Sequence, residues 1–141
     1  MLSLKALFKK ETRYGEGLYR INVPSFRVSC LIDKYEDKFL SLTGFPKDTR
    51  DYVVELETRV SQDLFKGSSF SNPYIENLRV KIPTRYSHII IPMTDSDHRR
   101  ITSGQLSPGV EIDIEIQPKT AWKLDGHCGI SWTAVSIKLK N

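Results

Sequence analysis

The last quarter of the chain, GVEIDIEIQPKTAWKLDGHCGISWTAVSIKLKN (residues 109–141), consists of two long alternating runs joined by a loop. Val110, Ile112, Ile114 and Ile116 fall on one side of the first run, with Glu111, Asp113 and Glu115 on the other. That period of two is the mark of a half-buried strand. In the second run Val135, Ile137 and Leu139 form the apolar row, opposite Ser136, Lys138 and Lys140. Ile130 and Trp132 have the wrong parity for that row. Their placement calls for a bulge near Thr133 and Ala134, or for a strand covered on both faces where a barrel closes.

The alternation extends upstream. In SFRVSCLI, Phe26, Val28, Cys30 and Ile32 alternate with Ser25, Arg27 and Ser29, and DKFLSL after the charged turn reads as its hairpin partner. DYVVELETRV (residues 51–60) reads as a further strand, with Tyr52, Val54 and Leu56 on one side. NLRVKIP sets Leu78, Val80 and Ile82 against Arg79 and Lys81, and SHIIIPMT reads as a strand covered on both faces. TGFPKDTRD and FKGSSFSNPY have loop chemistry. Two segments have helical signals. SLKALFKKE groups Leu4, Leu7 and Phe8 on one face behind Ser3, and DSDHRRITSG has Asp and Ser caps and a Gly104 stop.

This order predicts a mainly all-β chain: a five-stranded OB-fold Greek-key barrel, with a short helix near residues 95–103 before the last hairpin. A β-sandwich suits the short strands but does not call for the helix. Closure also removes the exposed strand edges through which all-β chains aggregate. Residues 1–13 read as a tail or short helix, and residues 14–141 as the barrel domain. One domain is what 141 residues accommodate. No apolar run reaches membrane-spanning length, and no signal-peptide pattern opens the chain, so a soluble cytoplasmic protein is expected. Cys30 and Cys128 are the two cysteines, too few for a secreted disulfide scaffold, and are expected to be buried thiols.

The stretch from Pro108 to Leu139 resembles the C-terminal half of small single-stranded DNA-binding proteins of phages and conjugative plasmids. The resemblance rests on Pro108–Gly109, the alternating Val110–Ile116, the Lys/Gly-containing loop, and the run Gly129-Ile130-Ser131 through Ala134-Val135 to Leu139. It covers about a quarter of the chain, and the rest fits in general strand order. It implies a non-enzymatic OB-fold that binds single-stranded DNA. The acidic, Pro-rich tail with which bacterial housekeeping members recruit partners has no counterpart here.

Such binding needs cations for phosphates and flat rings for bases, and stacking is worth roughly 1–3 kcal/mol per base whatever the base. The chain carries 21 Lys and Arg against 17 Asp and Glu, a net charge of +4 that permits a polyanionic partner without proving one. Rings and cations interleave in four places. They are Tyr14, Tyr19 and Arg20; Phe65, Lys66 and Phe70; Arg79, Lys81, Arg85 and Tyr86; and Lys119, Trp122 and Lys123. Each has a plainer reading, since rings supply most of a small barrel's packing and cations suit a solvated strand face. Trp132 and Phe26 lie within strands and are assigned to the core. The terminal loop borders the ligand groove of an OB-fold, which is where Lys119, Trp122 and Lys123 fall. Leu4, Leu7 and Phe8 are expected to dock on a neighbouring protomer, giving self-association and cooperative coating.

An enzyme is not indicated. His88, His98, His127 and the cysteines have no metal-ligand spacing, and there is no phosphate loop or nucleophile elbow. Asp95 and Asp97 read as helix caps, and Glu111, Asp113 and Glu115 as a solubilising row. No cofactor is implied. Two other readings stay open: a structural or protein-interaction barrel of a phage or plasmid system, and an RNA-binding barrel.

Overall fold

A computed structural model describes residues 8–10, 18–71 and 73–140. Its strands are β1 (Phe8–Lys10), β2 (Leu18–Ile21), β3 (Phe26–Glu36), β4 (Phe39–Thr43), β5 (Ser69–Phe70), β6 (Leu78–Lys81), β7 (Thr84–Arg85), β8 (His88–Ile89), β9 (Met93–Thr94), β10 (Glu111–Leu124) and β11 (His127–Leu139). Among the described residues there is one α-helix, α1 (Lys47–Thr58), which continues into a wider π-type turn at Arg59–Leu64.

Pairing runs in a cycle. β10 pairs antiparallel with β3, β3 with β4, and β4 with β6; β6 lies parallel to β11, and β11 returns antiparallel to β10. The inner rows of these five strands make the core. Leu40, Leu42, Val80, Ile112, Ile114 and Ile116 are fully enclosed, as the period-two pattern requires. Beyond the cycle, β2 pairs with the far end of β10, and β1 pairs with β2. Among the described residues no helix is long and apolar enough to cross a membrane.

Two bulges shape the terminal hairpin. Glu115 faces Ser136 but Ile116 faces Ala134, so Val135 is the extra residue. The bulge expected at Thr133–Ala134 therefore lies one residue further on, and it reconciles inward Trp132 and Ala134 with inward Ile137 and Leu139. The second bulge falls at Lys119, between Pro118 and Thr120. It switches the inner row from Ile116 and Pro118 to Ala121.

Among the described residues three two-residue turns carry positive φ at both central positions: Asp37–Lys38, Tyr86–Ser87 and Asp125–Gly126. This turn geometry matches the twist of a tight hairpin. Along β11, the strand opposite β10 comes in three pieces. β5 pairs at His127 and Cys128, β6 at Trp132 and Thr133, and β9 at Ile137 and Lys138, all parallel. Residues 73–77 and 83–91 leave the wall between those pieces, while Ile82 still donates to Lys38 and the Pro92 carbonyl accepts from Ile137; the second excursion folds as the β7–β8 hairpin.

The structure corrects three expectations. Residues 51–60 are helical: Val53, Leu56, Glu57 and Val60 are buried at the i, i+3, i+4 and i+7 spacing of one helix face. Pro46 stands at the N-cap position, and the i,i+4 ion pairs Lys47–Asp51 and Arg59–Glu55 flank the exposed side. The helix thus lies between β4 and β6, not at residues 95–103. There, Asp95 accepts the backbone N–H groups of Asp97 and Arg99 (2.9 Å each), closing a turn instead of a helix, and those bonds hold its carboxyl below the usual range. Only Ser103–Gln105 form a single 3₁₀ turn, capped by Thr102 and Gln105. Finally, Phe8–Lys10 form a strand, not part of a helix, and Phe8 is 5% exposed opposite Ile21 in this chain's own core. Phe8 is therefore not free to dock on a neighbour. Leu4 and Leu7 lie outside the described residues.

Glu57 fastens the helix to the segment before β6. Both its carboxylate oxygens accept the N–H of Tyr74, at 2.9 and 3.0 Å. Burial pushes its carboxyl up to about 7, partly opposed by that bond. Cys30 and Cys128 are buried and unpaired, and burial, reinforced by nearby Asp113, raises the Cys30 thiol to about 12.

Candidate nucleic-acid interface

Cross-strand partners share a face of the sheet, so the register sorts the candidate residues. Thr120 stands between Arg20 and Ser131, and Lys9 follows beyond Arg20. Trp122 stands between Leu18 and Gly129. Since Ala121 between them is fully buried, Thr120 and Trp122 face outward. Two residues on from Ser131, outward Thr133 lies beside Lys81, and Lys81 opposes Phe39. Arg79 opposes Ser41. One outer face therefore runs from Lys9 and Arg20, across Trp122 and Ser131, to Lys81, Arg79 and Phe39.

The bulge at Lys119 has a local consequence. Lys119, Arg20, Gln117, Thr120 and Ile21 line an open depression of about 450 Å³. A second depression of about 360 Å³ lies at the other end, lined by Phe39, Arg79, Ser41, Lys34, Glu36 and Asp37. There the Arg79 guanidinium carbon sits 3.7 Å from the centre of the Phe39 ring, a cation–π contact. Lys34 pairs with Glu36 at the rim, and that partner raises the lysine and lowers the carboxylate.

Trp122 depends on a glycine. A Cβ added at Gly129 would lie 2.3 Å from indole Cζ2 and 2.6 Å from Cε2. The ring therefore rests on the bare backbone of β11, half-buried on the outer face.

The sequence candidates separate into groups. Arg20, Arg79, Lys81 and Trp122 share the outer face, and Lys119 lines the depression beside Arg20. Lys123 is exposed but pairs with Cys128, on the opposite side of the hairpin from Trp122. Arg85 and Tyr86 occupy the β7–β8 hairpin, with Tyr86 90% exposed, and Lys66 is exposed after the π-type turn. Phe65 is a correction. It is 6% exposed and meets Tyr19 edge-on, with ring centroids 5.5 Å apart, so neither face is open to a base. Its place is in the core, just after the π-type turn. Tyr19 opposes buried Ala121, and Phe70 opposes buried Cys128; both are half-buried against the core. Tyr14 lies outside the described residues. Trp132 is buried, as its core assignment expects, and meets Phe26 edge-on at 6.2 Å; Phe26 is only partly buried against that core.

Phe39 escaped the sequence reading, although a signal was present. In FLSLT, Leu40 and Leu42 fix the inward parity, which leaves Phe39 and Ser41 on the polar row. An aromatic on a polar row invites a surface role.

Elsewhere the outer face is acidic. Glu111, Asp113 and Glu115 stand along the first half of β10. Ser25 and Ser29 donate to Glu115 and Asp113, Arg27 lies 3.7 Å from Glu115, and Lys140 lies 3.4 Å from Glu111. A polyanion would be repelled from this half relative to the Arg20–Lys119 half. Among the described residues no three His, Cys, Asp or Glu side chains gather to hold a metal.

Comparison with protein-family models, curated proteins and solved structures finds no match to this chain.

Proposed function

We propose that this protein is a non-enzymatic OB-fold protein that coats single-stranded DNA with little sequence preference. The observation that carries the reading is the shared outer face. On it, cations Arg20, Lys81 and Arg79 stand with rings Trp122 and Phe39 across strands that the pairing register makes neighbours, and Lys119 lines the depression beside Arg20. Phosphates gain from the cations by releasing counterions, and bases gain from the rings irrespective of their identity.

The pairing cycle supports the fold assignment. Three successive antiparallel strands, a parallel contact from the third to the last, and a final hairpin that returns to the first agree with a small Greek-key barrel. The helix between its second and third strands departs from the position expected from sequence. The acidic first half of β10 favours a path confined to one side.

A fluorescence titration with oligo-dT at two salt concentrations tests this reading. Salt-sensitive quenching of Trp122 is the expected result, and an absence of binding at low salt rejects it. Competition by a matched oligo-rU separates DNA coating from an RNA-binding role.

A further inference from the structure

The β7–β8 hairpin has no part in the barrel wall. From Val80 to Met93 the chain advances thirteen residues while its partner strand advances only five, from Trp132 to Ile137. The surplus projects as a two-stranded hairpin, Thr84 opposite Ile89 and Arg85 opposite His88. Its turn residues are Tyr86 and Ser87, at φ 51° and 67°. Asparagine and glycine suit such positions, and a bulky aromatic does not. The other two turns of this kind begin with aspartate, which tolerates the conformation better.

No packing offsets that strain, because Tyr86 is 90% exposed. A disfavoured backbone that displays a large ring to solvent points to a role outside the chain's own stability. The surroundings indicate a polyanion. Arg85 is exposed beside the ring, and no acidic residue occurs between Glu76 and Asp95, a stretch that includes Arg79 and Lys81. The hairpin also leaves the wall just past Lys81 and Ile82, at the edge of the outer face.

We propose that the β7–β8 hairpin is a stacking finger: Tyr86 packs on one unpaired base of a DNA strand lying across Arg79 and Lys81, and Arg85 meets the adjoining phosphate. This rests on the single-strand reading and adds a separate contact to it. The ring is needed for binding, while its backbone position is a cost to folding. Those two effects have opposite signs in one variant.

The test uses the full chain and an oligo-dT of about 16 nucleotides. Tyr86→Ala should weaken binding about 5- to 150-fold, the value of one stacked base, and Tyr86→Phe should bind as the parent does. Tyr86→Asn should lose affinity like the alanine variant while its unfolding midpoint rises by roughly 2–5 °C, because asparagine relieves the turn. Alanine and asparagine variants that bind like the parent overturn the finger and leave barrel-face coating intact. A parent protein that fails to bind oligo-dT at low salt overturns both.

Discussion

Replacing Gly129 with alanine tests the outer face through its most closely fitted contact. The new Cβ would lie 2.3 Å from Cζ2 and 2.6 Å from Cε2 of Trp122. Carbon atoms pack at about 3.5–4.0 Å, so the indole must retreat by more than about 1 Å. The collision is with a fused ring on a strand, not with the end of a flexible chain, so the ring must pivot away as a unit. Overpacking of this kind costs about 1–3 kcal/mol. Against it stand the lower unfolded-state entropy and better strand propensity of alanine, together about 1 kcal/mol. The net destabilisation should therefore be small, about 0–2 kcal/mol, and the fold should persist. Binding should suffer more. A displaced Trp122 no longer offers its ring beside Thr120 and Arg20, and losing one stacked base corresponds to a 5- to 150-fold weaker Kd, or about 1–3 kcal/mol. Two readouts check this. Trp132 is 4% exposed and should keep its emission, whereas the Trp122 component should shift to the red. Oligo-dT titration should show the weakened Kd. Unchanged emission together with unchanged affinity would refute both the seating of the ring and its part in binding.

Other perturbations address the cations and the helix clasp. Arg79→Ala and Lys81→Ala should each weaken binding across oligonucleotide sequences and reduce the slope of log K against log salt by about 0.7 for each phosphate no longer neutralised; unaltered slopes would remove β6 from the path. Glu57 makes stability pH-dependent. Its folded value of about 7 lies above the ordinary 4.5, so the folded state holds the proton more tightly. Its contribution is thus fully present below about pH 4.5 and is lost as pH rises through about 7, by at most about 3 kcal/mol. Urea unfolding at about pH 5 and about pH 8 should show that difference, and Glu57→Gln should flatten it while retaining an acceptor for the Tyr74 N–H.

The strands of the terminal hairpin were legible because burial on one face imposes a period of two, and even its parity break marked a bulge within a residue of the true position. The helix was misread for a reason visible in the same window. Val53 and Val54 are adjacent, so alternation and helical spacing both find partners there, and only Leu56, Glu57 and Val60 decide for the helix. A glutamate on the buried face obscured that stripe further. The reverse error occurred at residues 95–103, where Asp95 has the chemistry of a cap but closes an isolated turn. At the candidate site, the cations of β6 could be placed from alternation alone. The clustering of Lys119 with Arg20 could not, since it depends on a bulge and on pairing between strands almost a hundred residues apart. Phe65 was misjudged because a ring in loop-like sequence can still be buried in the core.

Three short splints, β5, β6 and β9, brace one flank of β11, and they separate the length of the excursions from the geometry of the wall. Residues added or removed at the tip of the β7–β8 hairpin leave the register of each splint as it was, so length can vary there without disturbing the wall, at the expense of the proposed Tyr86 contact. The same insertion in β10 would slide every later row against two neighbours at once and turn buried isoleucines outward. Change is thus cheap on one flank of the molecule and prohibitive on the other.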